Sequence, residues 1–92
     1  MNNFSDMLSK AKAMQEKMKE AQEQIKKIEV EGMSGGNLVK VTLSGEYEIK
    51  SIEITDAAKK ESQEIINDLI IAAYNNAKEN LKKKSSEELS KL

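Results

Sequence analysis

The chain contains no cysteine and no histidine, and the two absences together remove much familiar chemistry. Without cysteine there is neither a disulfide nor a thiolate ligand, and without histidine the commonest metal ligand and general base are missing. No metal site, cofactor or small-molecule substrate is expected, and an enzyme is the least favoured class of function. Arginine is absent as well, every one of the fifteen cations being lysine. With no planar guanidinium to pair bidentately with guanine, sequence readout in the major groove by that route is closed, so any contact with DNA should go mostly to phosphate. Aromatic residues are scarce: Phe4, Tyr47 and Tyr74 are the only rings, with no tryptophan to anchor a core. Long apolar runs are missing too. The longest, Leu69 to Tyr74, falls far short of the roughly 20 residues of a membrane span, and the opening Asn2 and Asn3 do not resemble a secretory signal. A cytosolic protein without a membrane partner is expected.

What is present is a chain of 92 residues, enough for one domain that buries only roughly 60 to 65% of its unfolded surface. The core must be thin, and a partner subunit is the natural remedy. Fifteen basic and sixteen acidic residues leave a net charge of −1, which argues against a simple basic nucleic-acid binder.

Apolar residues fall at Phe4, Met7, Ala11, Met14, Met18, Ala21, Ile25 and Ile28, alternating three and four apart in the manner of a coiled-coil seam. This predicts a helix to about residue 27, with Ser5 as its cap, made to lie along another helix. From Ile28 the period becomes two, and a sheet over residues 28–54 is expected. Its first strand holds Ile28 and Val30, and Gly32 to Asn37 make a turn. Val39, Val41 and Leu43 alternate with polar residues in the second strand. In the third, the apolar set Tyr47, Ile49, Ile52 and Ile54 slips parity, which predicts either a bulge near Lys50 and Ser51 or a strand buried partly on both faces. After a polar loop with a helical turn, Ile65, Ile66, Leu69, Ile70, Ala73, Ala77 and Leu81 form a broad stripe, so a second helix over 62–84 should pack on the sheet. Residues 85–92 are read as an exposed tail. The fold class is α+β: helix, three-stranded antiparallel meander, helix.

The stretch Glu29 to Val41, EVEGMSGGNLVKV, with Gly45, Ile52, Glu53 and Ile54, resembles the YbaB/EbfC family of nucleoid-associated DNA-binding proteins. The similarity continues through Asp68, Leu69, Ile70, Ala72, Ala73, Asn75 or Asn76, and Ala77, and includes Met14 to Met18 of the first helix. The resemblance implies a cytoplasmic, nucleoid-located homodimer joined through its sheets, with long helices projecting like the arms of tweezers. It implies double-stranded DNA as the partner and an effect on DNA conformation and gene expression. Members often carry a tail rich in glycine, proline and methionine, whereas this chain ends in lysine and glutamate. The residues expected to meet the second copy are Val39, Val41, Leu43 and Ile49 of the sheet with Ile66 and Ile70 of the second helix.

Two groups of lysines are candidates for phosphate contact. In the first helix Lys12, Lys19 and Lys26 recur every seven residues, about 10.5 Å apart along the axis, and Lys10 and Lys17 flank the seam, while Asp6, Glu16, Glu20 and Glu23 take the outer face. The plainer reading is that they solubilise the helix and pair with acids, as Glu23 with Lys27 at i, i+4. The second group, Lys78, Lys82, Lys83 and Lys84 beside Glu79 alone, also suits a helix C-terminus for dipole reasons. The glycine loop lacks the following helix and Lys-Ser/Thr pair of a phosphate cradle, and the strand glutamates read as surface charge. The alternative function is a helix-capturing protein-interaction or chaperone-like module working through the methionine-rich seam.

Overall fold

The structure is a computed structural model that describes residues 3–92. Its elements run α1 (Asn3–Lys26), β1 (Glu29–Ser34), β2 (Val39–Ser44), β3 (Ile49–Ile54), a single helical turn α2 (Asp56–Lys59) and α3 (Gln63–Ser90). The strands form one antiparallel sheet in the order β1-β2-β3, so the expected helix, meander and helix are all present. Ser5 does not cap α1, because the helix is already formed at Asn3.

The sheet's inner face is made by alternation. Val30 and Gly32 of β1 and Val39, Val41 and Leu43 of β2 are buried, while Glu29, Glu31 and Met33 point the other way. Across from them α3 buries Ala73, Ala77 and Leu81, with Leu69, Ile70 and Tyr74 packed around this core. The small residues are there because the helix lies so close to the sheet. A Cβ on Gly32 would run into the Ala77 amide nitrogen and the Ala73 carbonyl oxygen. Gly32 is therefore a strand residue chosen for close approach and not the turn residue its neighbours suggest; the turn proper is Gly35 to Leu38, with Gly35 and Gly36 at positive φ.

The predicted bulge is real. Thr42 pairs with Ser51 and Leu43 with Ile49, leaving Lys50 as the extra residue. By absorbing one residue it returns Ile49 to the face that carries Ile52 and Ile54, opposite Leu43, Val41 and Val39. Yet α3 covers only β1 and β2. Ile54 packs half-buried against the core, but Ile49 is 48% and Ile52 42% exposed on the same strand face.

The β2–β3 turn is a three-residue hairpin loop. Tyr47 N donates to Ser44 O at 3.0 Å and Ser44 N to Glu48 O at 2.9 Å, and the buried Ser44 hydroxyl accepts from the Glu46 and Glu48 amides. Tyr47 closes it in the left-handed region, at φ 63°, where glycine is usual. Gly45 faces the other way, against the end of α1: its amide donates to Ile28 O at 2.8 Å, and a Cβ there would meet the Ile25 carbonyl.

The second helix does not stop at residue 84. Ser62 caps its start by accepting from the Ile65 amide, and the helix continues to Ser90, with Ser85 and Glu88 half-buried. Of residues 85–92, read as an exposed tail, six are exposed, but the segment is helical to Ser90 and lies beside α1, sharing a recess with Lys17, Glu20, Ala21 and Gln24. The expected partner helix for the α1 seam is thus α3 itself, but over the base only. Exposure falls from 72% at Phe4 through 67% at Met7, 50% at Met14 and 40% at Met18 to 8% at Ala21. The result is a rod, 72 × 16 × 15 Å, with a radius of gyration of 19.5 Å, against about 12 Å for a compact chain of this length.

Two substitutions test this packing. Gly32→Ala should lower stability by about 3 kcal/mol, at the upper end for overpacking a core, measured by urea denaturation. Tyr47→Gly should raise it by about 0.5 to 1 kcal/mol, because relief of the left-handed conformation exceeds the added chain entropy; a fall in the urea midpoint would contradict the role given to that turn.

Candidate nucleic-acid interface

All nine nominated lysines lie on the two long helices. Lys10, Lys12, Lys17, Lys19 and Lys26 on α1 and Lys82, Lys83 and Lys84 on α3 are exposed, and Lys78 is half-buried. Among the described residues only Lys26 of this set makes an ion pair, with Glu23 at 3.6 Å. The i, i+4 pair expected between Glu23 and Lys27 is replaced by this i, i+3 pair because α1 ends at Lys26. The other eight ammonium groups have no carboxylate within ion-pair distance.

The run Lys82, Lys83, Lys84 is not one patch. At about 100° per helical residue the three side chains fan around α3, and only Lys82 shares a face with Lys78, at i, i+4. The α1 lysines fare better. Lys12, Lys19 and Lys26, seven residues apart, keep nearly one line, spaced about three steps of a DNA strand's 3.4 Å rise.

The net charge of −1 conceals a strong separation. Residues 1–27 and 78–92, which contain α1 and the outer half of α3, carry eleven lysines and seven acids, a net +4. Residues 28–77, with the sheet and the inner half of α3, carry four lysines and nine acids, a net −5. The molecule is positive along its helical arm and negative at its body. Summing charge by element shows this from sequence; summing it over the whole chain hides it. Lys27, not among the nominated residues, belongs to the same arm and is exposed and unpaired.

On the sheet's outer face the acids are partly spoken for. Lys40 Nζ lies 2.9 Å from Glu31 Oε2 and 2.9 Å from Glu53 Oε2, binding β1, β2 and β3 together across the strands. Hydrogen bonds to Glu31 and then Glu53 hold the Lys40 pKa above its ordinary value. A raised ammonium pKa stabilises the fold at every pH below the normal lysine range and ceases to do so only as pH rises through the raised value. The charge of Lys40 is therefore constant across neutral pH. Beside it lies a shallow recess of about 240 Å³ lined by Met33, Asn37, Lys40, Glu53 and Thr55. Among the described residues no group of three carboxylates is arranged to hold a metal ion, and no helix is long and apolar enough to cross a membrane.

Of the residues expected at a subunit interface, Val39, Val41 and Leu43 are fully buried under α3 of their own chain, so they have no surface left to offer a second copy. Ile49 is open, and Ile66 and Ile70 are half-buried. Ile52, on the same strand face as Ile49, is exposed as well; a strand left bare by the helix was not readable from alternation alone.

The model of the YbaB/EbfC DNA-binding family matches residues 1–92. The chain is also 42% identical over 84 residues to a nucleoid-associated protein of Francisella tularensis subsp. tularensis strain WY96-3418, covering 91% of this chain and 75% of the relative. Nucleoid-associated proteins of Francisella tularensis subsp. novicida strain U112 and of Francisella philomiragia subsp. philomiragia are each 40% identical over 84 residues, with 91% of this chain and 75% and 76% of the relative covered. The chain belongs to the YbaB/EbfC DNA-binding family.

Proposed function

We propose that the protein binds duplex DNA through the lysines of its two long helices, as a homodimer joined at β3, in the nucleoid of the bacterial cytoplasm. The observation that carries this reading is the charge separation: a net +4 arm and a net −5 body. A phosphate backbone is drawn to the arm and repelled by the body, which orients the protein without any base contact. Lys10, Lys12, Lys17, Lys19 and Lys26 on α1 and Lys78, Lys82, Lys83 and Lys84 on α3 make the contacts. Because lysine ammonium groups act as point charges, binding is weakly sequence-selective, and two arms engaging one duplex alter its path and so the expression of nearby genes.

The second copy is called for by β3. Its exposed Ile49 and Ile52, with half-buried Ile54, form an apolar shelf at the edge of a three-stranded sheet. A two-fold pairing of β3 with its copy gives six continuous strands and brings the two shelves together, with Ile66 and Ile70 bordering them. A second reading, capture of a partner helix by the bare outer seam of α1, is favoured by the exposure of Phe4 and Met7. Recovery of a stoichiometric protein partner and no nucleic acid would support that reading instead.

A gel shift of generic duplex at low salt tests DNA binding, and no shift at tens of micromolar protein would refute it. With about six phosphate contacts, affinity should fall about a thousandfold between 50 and 200 mM salt. Each contact removed by Lys12→Glu or Lys19→Glu should lower the salt slope by about 0.9. For the dimer, Ile49→Lys with Ile52→Lys should halve the mass seen by light scattering while the helical circular dichroism is kept.

A further inference from the structure

The two outer edges of the sheet are treated differently. A strand at an edge turns half its backbone amides and carbonyls outward, where they invite another strand to add. On β1 two of those outward groups are already taken, and side chains of α3 take them. Met33 N donates to Asn76 Oδ1 at 3.0 Å, and Asn80 Nδ2 donates to Glu31 O at 2.8 Å. About two turns away, Ser34 Oγ donates to the Leu69 carbonyl at 2.6 Å, fastening the end of β1 to the same helix. Asn76 and Asn80 are four residues apart, so they stand one above the other on α3 and match outward groups two residues apart on the strand. An amide is the side chain that can do both jobs, accepting at one position and donating at the other. Nothing comparable lies along β3: among the described residues no side-chain hydrogen bond reaches Ile52 or Ile54, the residues whose backbone faces outward there.

We propose that Asn76 and Asn80 seal the β1 edge, so that strand addition is confined to β3 and the assembly closes at a small, fixed number of chains. A chain with two open, self-complementary edges would have no reason to stop. Pairing at β3 and again at β1 extends the sheet without limit, and an open ribbon results in place of a closed pair. The seal also explains why these two asparagines sit beside an apolar stripe where alanine would be the better helix former. The number at which growth stops rests on the dimer proposed above; the sealing of β1 does not.

The experiment is light scattering of the full chain over a concentration series, wild type against Asn76→Ala/Asn80→Ala, with hydrogen exchange at the Met33 amide. The wild type should hold a constant mass, and the double variant should grow with concentration to several times that mass. Met33 should be protected in the wild type, exchange at least about tenfold faster in Asn76→Ala, and stay protected in Asn76→Asp, which keeps the acceptor. A folded double variant whose mass equals the wild type's at every concentration overturns the proposal, as does a wild-type Met33 amide that exchanges freely. If the double variant loses its helical signal, Asn80→Ser, which shortens the donor and leaves Asn76 in place, carries the same mass comparison. A wild type that remains a single chain while the variant gains mass would refute the dimer and support the seal.

Discussion

Everything in this molecule is hung on the contact between α3 and β1 at Gly32. Helix and strand meet there backbone to backbone, with Ala73 and Ala77 against a residue that has no side chain. So close an approach lets a thin core of valine, leucine and alanine bury fully without any aromatic centre. It also fixes where α3 lies, over β1 and β2 and no further. From that one placement follow the bare apolar face of β3, the reach of Asn76 and Asn80 around the β1 edge, and the course of α3 outward beside α1.

The outer half of α3 supports the base of α1, and the pair forms a single positive arm. The sheet end gathers the acids, some of them held in the Glu31–Lys40–Glu53 triad. This division matters more than net charge, because a binding surface answers to local potential within about a Debye length and not to the whole molecule. A chain one charge short of neutral can then present a cationic rod to DNA.

Much of this was legible in the sequence. Periods of 3.5, 2 and 3.6 gave each element its type, and the slipped parity of Ile49 and Ile52 located the Lys50 bulge, because such patterns are local. What depended on the relation between elements was less visible. Gly32 looked like part of a turn since the helix that needs it is more than forty residues away. The helical continuation through residues 85–90 was hidden because their contacts are with α1 and their own stripe is weak. Val39, Val41 and Leu43 looked available to a partner because alternation says which face is apolar but not which strands a helix will cover. The heptad spacing of Lys12, Lys19 and Lys26 shows in the sequence that they keep nearly one line, whereas Lys82 to Lys84, adjacent in sequence, fan around α3 because neighbours in sequence point apart on a helix.

Gly45 holds the base of α1 by letting the Ile25 carbonyl sit directly on the β2–β3 turn. Beyond Ala21 the helix has little else to lean on, since residues 3–20 are exposed. Its 24 residues make a lever about 36 Å long, so a tilt of about 10° at the base would swing the tip by about 6 Å, close to twice the step between base pairs. A side chain at position 45 would thus be felt less at the turn than at the far end of the arm.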